Sequence, residues 1–243
     1  MAKVDYQQFY SDEASGYDSR RYGSAYGTLF RRLQRAAVVR ALADVGAPPV
    51  RILDVATGTG QMLPVLRAAG ATVVASDLTV AMLGEARRIL GNSGIAYCVG
   101  DAFSLPYASG RFDVVASSRF LHLFDIAGQG ALIREMARVL APGGLLIVDF
   151  YSETGRRWVR LPIWIYRTLL RKRPENDVRV TIAQAQEMLV AGGLQPLRVE
   201  GLGNFLLALV PWLPLAWRMR VGEWLGRRYA WMSEQFMIVA RVR

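Results

Sequence analysis

The residue types that build metal centres and disulfides are almost missing from this chain: among 243 residues there is one cysteine, Cys98, and one histidine, His122. A single cysteine excludes an intrachain disulfide and a cysteine-rich zinc site, and a single histidine excludes a multi-histidine metal centre. No metal is expected. Lysine is scarce too, with only Lys3 and Lys172; a Tyr-x-x-x-Lys dehydrogenase pair is excluded because position 168 is Thr. The opening MAKVDYQQFYSDEASGYDS has no apolar core of signal-peptide length, so a cytoplasmic location is expected. The strongly apolar stretch 204–217 falls short of the roughly 20 residues that span a bilayer and is broken by Pro211 and Pro214.

Acidic residues are outnumbered, 20 against 30 Lys+Arg, giving a formal net charge of +10. The imbalance is local. Residues 1–155 hold 15 basic and 14 acidic side chains, whereas residues 156–243 hold 15 and 6. All six tryptophans also lie after residue 155. The rest is ordinary globular composition, 52% hydrophobic and 21% charged, at a length that suits one α/β domain.

Residues 1–25 are polar and tyrosine-rich and read as an arm. Apolar positions at helical spacing predict a helix over 26–46, with Gly46 as its stop. After Pro48-Pro49 an alternation begins. Short β-branched runs predict strands over 50–56, 71–77, 95–101, 112–118 and 145–151, and helices are predicted over 61–70, 79–90 and 130–144. Thr79 is a candidate N-cap, and Gly70 and Gly91 are candidate terminators. A helix over 181–193, a strand over 195–203, a basic helix over 218–230 and a last strand over 235–243 complete the pattern. This alternation implies a doubly wound, Rossmann-like α/β sheet, whose ligands sit beyond the carboxyl ends of its strands. One domain is expected: an arm and helix (1–46), a ligand-binding core (47–151), and substrate-side insertions with the final strands (152–243).

Chemistry-bearing residues gather at those strand ends. The first strand runs into Asp54-Val55-Ala56-Thr57-Gly58-Thr59-Gly60, where glycines let a ligand approach the backbone and the next helix offers free N–H groups. The spacing fails the dinucleotide pattern G-x-G-x-x-G, since the third position is Leu63. Asp54 is an awkward neighbour for a pyrophosphate and suits an ammonium group. Asp77 ends the second strand, where a carboxylate can accept from two ribose hydroxyls. Asp101 ends the third and can accept from an adenine amino group. Taken singly, each acid also reads as a cap or turn residue. Together with the glycine loop they point to a cationic adenosine ligand without phosphates.

The set resembles the class I S-adenosylmethionine (SAM)-dependent methyltransferases, especially the branch of the quinone C-methyltransferases. ILDVATGTGQ is similar to their glycine motif and SDLTVAMLGEAR to the end of their second strand. VGDAFSLPYASGRFDVVASSRFLHLF and REMARVLAPGGLLIVDF are similar to their adenine-binding and fifth-strand blocks. The resemblance covers about residues 15–151. It implies SAM as cofactor, a seventh strand inserted antiparallel between its neighbours, and an apolar, basic helical insertion near the C-terminus. By the same resemblance, Asp54 and the loop Ala56, Thr57, Gly58 and Gly60 hold the methionine end. Asp77 and Leu78 hold the ribose and cover the adenine, Asp101 and Ala102 bind its edge, and Ser118 lines the cofactor near its methyl. The family usually has glycine where this chain has Ala56. Cys98, flanked by Tyr97 and Val99, reads as a buried core thiol and not as the nucleophile of a DNA cytosine methyltransferase.

Methyl transfer mainly requires alignment of acceptor and methyl, and for some acceptors a base. His122 is the candidate base; packing of the loop is its other reading. Tyr17, Tyr22 and Tyr107 are further candidates, and the YDSRRYG segment (17–23) is a candidate lid. In the back end, Arg alternates with Trp, Leu and Ile over 156–173, the composition of segments that lie on anionic membranes. The expected acceptor is therefore a lipophilic or membrane-associated small molecule: a quinone precursor, a phospholipid or a lipid-linked glycan. Contact with the inner face of the membrane goes with it. A soluble natural product or RNA is the alternative acceptor, and a non-catalytic SAM-binding subunit the alternative class. Nucleic acid ranks lower, because the aromatics sit among Leu and Ile and not on a stacking surface.

Overall fold

The computed structural model describes residues 3–46, 48–92, 94–155, 177–204, 207 and 210–243. The readings for 156–173, and part of that for 204–217, lie outside the described residues.

Seven strands form one sheet: β1 (Arg51–Val55), β2 (Thr72–Asp77), β3 (Ile95–Val99), β4 (Phe112–Ser117), β5 (Leu140–Tyr151), β6 (Leu194–Leu202) and β7 (Gln235–Val242), in the order β3-β2-β1-β4-β5-β7-β6. β1 to β5 pair in parallel, and β7 lies antiparallel between β5 and β6. The inserted antiparallel seventh strand is as expected. Both faces are covered, so successive residues of one strand enter opposite cores. Ile52, Val114, Ala116, Leu145 and Ile147 belong to one core, and Leu53, Val115, Leu146 and Val148 to the other. That double burial is why these strands read as continuous apolar runs and not as alternation.

The helices are α1 (Lys3–Glu13), α2 (Tyr17–Tyr22), α3 (Ala25–Leu42), α4 (Leu63–Arg67), α5 (Val80–Leu90), α6 (Ile126–Val139), α7 (Ile182–Ala191) and α8 (Leu215–Arg228). Three departures from the sequence reading have local causes. The arm is helical: α1 and α2 fold over the strand ends, and their apolar content is too low to announce it. The helix expected to reach residue 144 stops at Val139, and β5 starts at Leu140. Pro142 has no N–H for a helix interior, Gly143 sits at φ +74°, and the pairing with β4 jumps from Phe112–Leu140 to Val114–Leu145. Cys98, expected in the core, is half-buried on the edge strand β3.

α8 packs by its glycines. A Cβ on Gly226 would stand 2.2 Å from the Gly201 carbonyl oxygen of β6, so only glycine allows this approach. The buried face, Arg218-Gly222-Gly226, leaves Trp217, Arg220, Trp224, Arg227 and Arg228 exposed on the other side.

Candidate functional site

The strand order reverses between β1 and β4, and a cleft opens at the carboxyl ends of the strands there. Asp54 is the fourth residue of β1 and is buried. Its carboxylate accepts the hydroxyl of Thr57, which ties the strand to the loop that follows. The loop turns through three left-handed residues, Ala56 and Gly58 at φ +55° and Gly60 at φ +81°. A left-handed alanine is strained by its Cβ, a strain the glycine usual at this position lacks. The Thr57 N–H donates to the Ser76 carbonyl at 3.0 Å and fixes the turn against β2.

Asp77 organises the loop from the neighbouring strand. One carboxylate oxygen accepts the Gly58 N–H at 2.8 Å and the other the Thr79 N–H at 2.9 Å. Thr79 does stand at the N-cap of α5, but the side chain that caps this turn is Asp77. Burial pushes both acids up. Asp54 rises from 3.8 to about 7, with the Thr57 hydrogen bond opposing and the Asp77 charge adding. Asp77 rises too, against the pull of the Thr79 and Gly58 N–H groups.

Asp54, Ala56, Thr57 and Gly58 line the cleft, as do Asp77 and Leu78 from β2, Asp101 and Ala102 after β3, and Ser118 after β4. Asp101 shapes its turn by accepting the Phe103 N–H at 3.1 Å. Two expected residues stand elsewhere. Gly60 is not among the lining residues: its φ of +81° closes the loop and calls for glycine, and a Cβ there would meet Leu63 and Leu90 at 2.9 Å. His122 is buried outside the lining, its ring edge-on to Tyr151 at 4.1 Å between centroids and its Nε2 3.7 Å from Asp177. Burial first, then the charges of Arg119, Arg21 and Arg179, push it down to about 2. It is neutral at physiological pH and a very weak proton acceptor. Tyr107 also stands outside the lining, packed on Phe112, whereas Tyr17 and Tyr22 are within it.

Several lining residues escaped the sequence reading. Gln7 and Tyr10 of α1 reach the cleft, and the Gln7 amide donates to the Leu78 carbonyl at 3.3 Å. Asp18 of α2 accepts from the Thr59 hydroxyl at 2.6 Å and from the Gln61 amide, latching the N-terminal helices to the glycine loop. The lining also includes Arg119, Gln34 and an aromatic group of Phe103, Phe120 and Phe124. The signals for this part of the site were single polar residues in apolar registers: Gln34 on the buried face of α3 and Asp149 within β5.

This donor set fits the nucleoside expected from the sequence. Asp54 and Asp77 are both desolvated and repel each other, so a cationic ligand beside them relieves both costs. At Gly58 nothing stands within 4 Å of where a Cβ would be, which leaves room for a ligand against the loop.

The comparisons agree. A methyltransferase-domain family matches residues 53–148. The chain is 31% identical over 221 residues to the demethylmenaquinone methyltransferase of Parafrankia sp. (strain EAN1pec), covering 82% of this chain and 85% of that one. It is 38% identical to that of Thermus thermophilus, over 57% of this chain and 62% of the relative. Among solved structures, magnesium protoporphyrin IX methyltransferase from Synechocystis PCC 6803 with bound S-adenosylhomocysteine (SAH) superposes with a TM-score of 0.69 over the full length of both chains at 18% identity.

Proposed function

The chain belongs to the class I SAM-dependent methyltransferases, and on that footing we propose that it methylates a lipophilic hydroxylated ring compound of the quinol type. The cofactor is SAM. When bound it supplies a methyl whose bond to sulfur breaks with the electron pair passing to sulfur, leaving SAH, as a pair on the acceptor forms the new bond. The chain's own residues bind and align. Asp54 and the loop from Ala56 to Gly58 hold the methionine end; Asp77 and Leu78 hold the ribose; Asp101 and Ala102 take the adenine edge. Ser118 lines the cofactor near its methyl. His122 serves by packing: its ring is buried against Tyr151 outside the cleft lining, and burial holds the imidazole well below its ordinary value.

The observation that carries the acceptor assignment is that the cleft holding the three acids is lined as well by Arg119 and by a contiguous aromatic group, Phe103, Phe124 and Phe120. A flat apolar ring bearing one polar group fits against such a lining. The demethylmenaquinone methyltransferase relatives support the same chemistry. Purified protein with methyl-labelled SAM is expected to label a short-chain prenylated naphthohydroquinone, and not phospholipid or transfer RNA. Label in the RNA and none in the hydroquinone removes the assignment.

A lipophilic acceptor lies in a membrane, and the exposed face of α8 suits one. Trp217, Arg220, Trp224, Arg227 and Arg228 share it, and Trp212 and Trp231 flank it at 75% and 43% exposure. No helix among the described residues is long and apolar enough to cross a membrane. Arginine between exposed tryptophans fits the headgroup layer of an anionic bilayer. The protein is expected to float with phosphatidylglycerol vesicles at low salt and far less with phosphatidylcholine. Replacing Trp217 and Trp224 by Ala is expected to weaken vesicle binding about tenfold. Equal flotation of parent and double variant counts against this face.

A further inference from the structure

Arg119 is built into the cleft in a way its neighbours are not. Its φ is +55°, a conformation uncommon for a long side chain, and such strain persists where the surroundings fix it. The fixing group is Asp149, a buried acid near the carboxyl end of β5. One Asp149 oxygen accepts the Arg119 N–H at 2.6 Å, and the other accepts the Gln34 side-chain amide of α3 at 2.7 Å. The Arg119 guanidinium lies over the rings of Tyr22, at 5.3 Å, and Phe30, at 5.9 Å. Its buried Nε has no hydrogen-bond partner among the described residues. A buried donor without an acceptor is expensive, and native proteins seldom leave one. Here the donor belongs to a residue of the cleft wall, beside the aromatic group.

The surroundings favour an anion. Arg21 from α2 and Arg179 from the segment before α7 act on the same region, since both join Arg119 in opposing a charge on His122. Asp149 and Asp177 are the acids there. Asp149 is occupied by Gln34 and the Arg119 backbone, and Asp177 stands by Arg179 at 4.0 Å and His122 at 3.7 Å. Tyr22 and Tyr151 are both pushed up by burial, Tyr151 to about 12, so neither supplies a negative charge.

We propose that Arg119 is the acceptor-anion site of this chain, holding a phenolate or enolate oxygen of the acceptor through its guanidinium. The inference rests on the hydroxylated-acceptor reading above and adds the ionic state in which the acceptor is held. The acceptor hydroxyl loses its proton to solvent as the anion settles against Arg119. The negative charge then spreads over the ring and raises its electron density; an oxygen acceptor takes the methyl with no further proton to lose, and a ring-carbon acceptor releases its own hydrogen as a proton to solvent in restoring the aromatic ring. This accounts for a site whose histidine is held neutral and whose strongest fixed charge is a guanidinium.

The test uses the full chain saturated with SAH and the coloured enol 2-hydroxy-1,4-naphthoquinone, whose anion and neutral form differ in visible absorption. The bound probe is expected to remain anionic to a pH about one unit below the free compound's midpoint. Arg119→Gln is expected to lower probe affinity about tenfold and to return the midpoint to that of the free compound, with SAH affinity by calorimetry unchanged. If Arg119→Gln fails to bind SAH, Arg119→Lys decides: it is expected to keep the anionic preference with weaker binding. A probe bound as the neutral enol, or held equally tightly by parent and Arg119→Gln, overturns the anion site and leaves the quinol reading standing. Failure of the parent to take up the probe, with SAH binding intact, overturns both.

Discussion

Replacing Asp77 by Ala is expected to weaken SAH binding by about a hundredfold or more while changing the stability of the ligand-free protein far less. The carboxylate has two tasks. Its oxygens accept the Gly58 and Thr79 N–H groups, which shapes the loop, and each oxygen keeps a further lone pair that a ribose hydroxyl can use. Hydrogen bonds to a charged group contribute about 1.5–3 kcal/mol each, so two lost ribose contacts correspond to about 3–6 kcal/mol and at least about a hundredfold in affinity. Stability behaves differently. Two backbone donors lose their acceptor, but an acid whose pKa is raised by burial is removed with them. These effects oppose each other. Calorimetry with SAH and thermal unfolding without ligand measure the two quantities separately. Asp77→Asn is expected to fall between, because its amide nitrogen faces one of the two N–H donors. A tenfold or smaller loss for the Ala variant removes Asp77 from the ribose contact.

What the sequence made legible follows from periodicity and from strand ends. β1 to β5 were readable because both faces of each are buried and the runs are continuously apolar. Asp54, Asp77 and Asp101 were readable because they interrupt such runs at the carboxyl end, where a doubly wound sheet places its ligand. Gly60 illustrates the limit of motif reading: it belongs to the glycine pattern, yet its lack of a side chain serves the contact with Leu63 and Leu90. His122 illustrates another. Its position after β4 is near the cleft in sequence, but the short 3-10 turn over Leu121–Leu123 turns it inward against Tyr151. Arg119 was hidden for the opposite reason. Nothing in ASSRFLHLF distinguishes an exposed arginine from one held left-handed by an acid thirty residues away. Long-range polar pairs such as Gln34–Asp149 carry no local pattern, yet this one fixes the backbone of Arg119 in the cleft wall.

Affinity for SAM is expected to rise with pH until about pH 7, because Asp54 must ionise to face a cation, and to fall again above about pH 8, where the free ligand's ammonium loses its proton. In the ligand-free protein burial holds its carboxyl at about 7, against an ordinary value of 3.8. A raised acid gives the folded state more bound protons than the unfolded chain between those two values. Its contribution to stability is therefore fully present below about pH 4 and lost as pH rises through about 7. Three pH units correspond to about 4 kcal/mol at most. Binding a sulfonium and an ammonium beside Asp54 reverses the preference and expels the proton, so the ligand relieves the cost of a buried carboxylate. At about pH 6, calorimetry in two buffers of different ionisation heat is expected to show close to one proton released per SAM, and at about pH 9 proton uptake instead, because the free ligand's amino group is then mostly neutral and binds as the ammonium. Affinity is expected to fall up to tenfold for each unit below about pH 7. Asp149, raised to about 6, titrates in the same window, but it is held by Gln34 and the Arg119 N–H. Asp54→Asn separates the two. It is expected to abolish the proton release, to flatten the pH dependence of SAM affinity below about pH 7, and to bind SAM about a hundredfold more weakly than the parent at about pH 8, where the parent carboxylate is charged. Proton release that survives in this variant assigns the coupling to another group and leaves Asp54 as a loop anchor for Thr57.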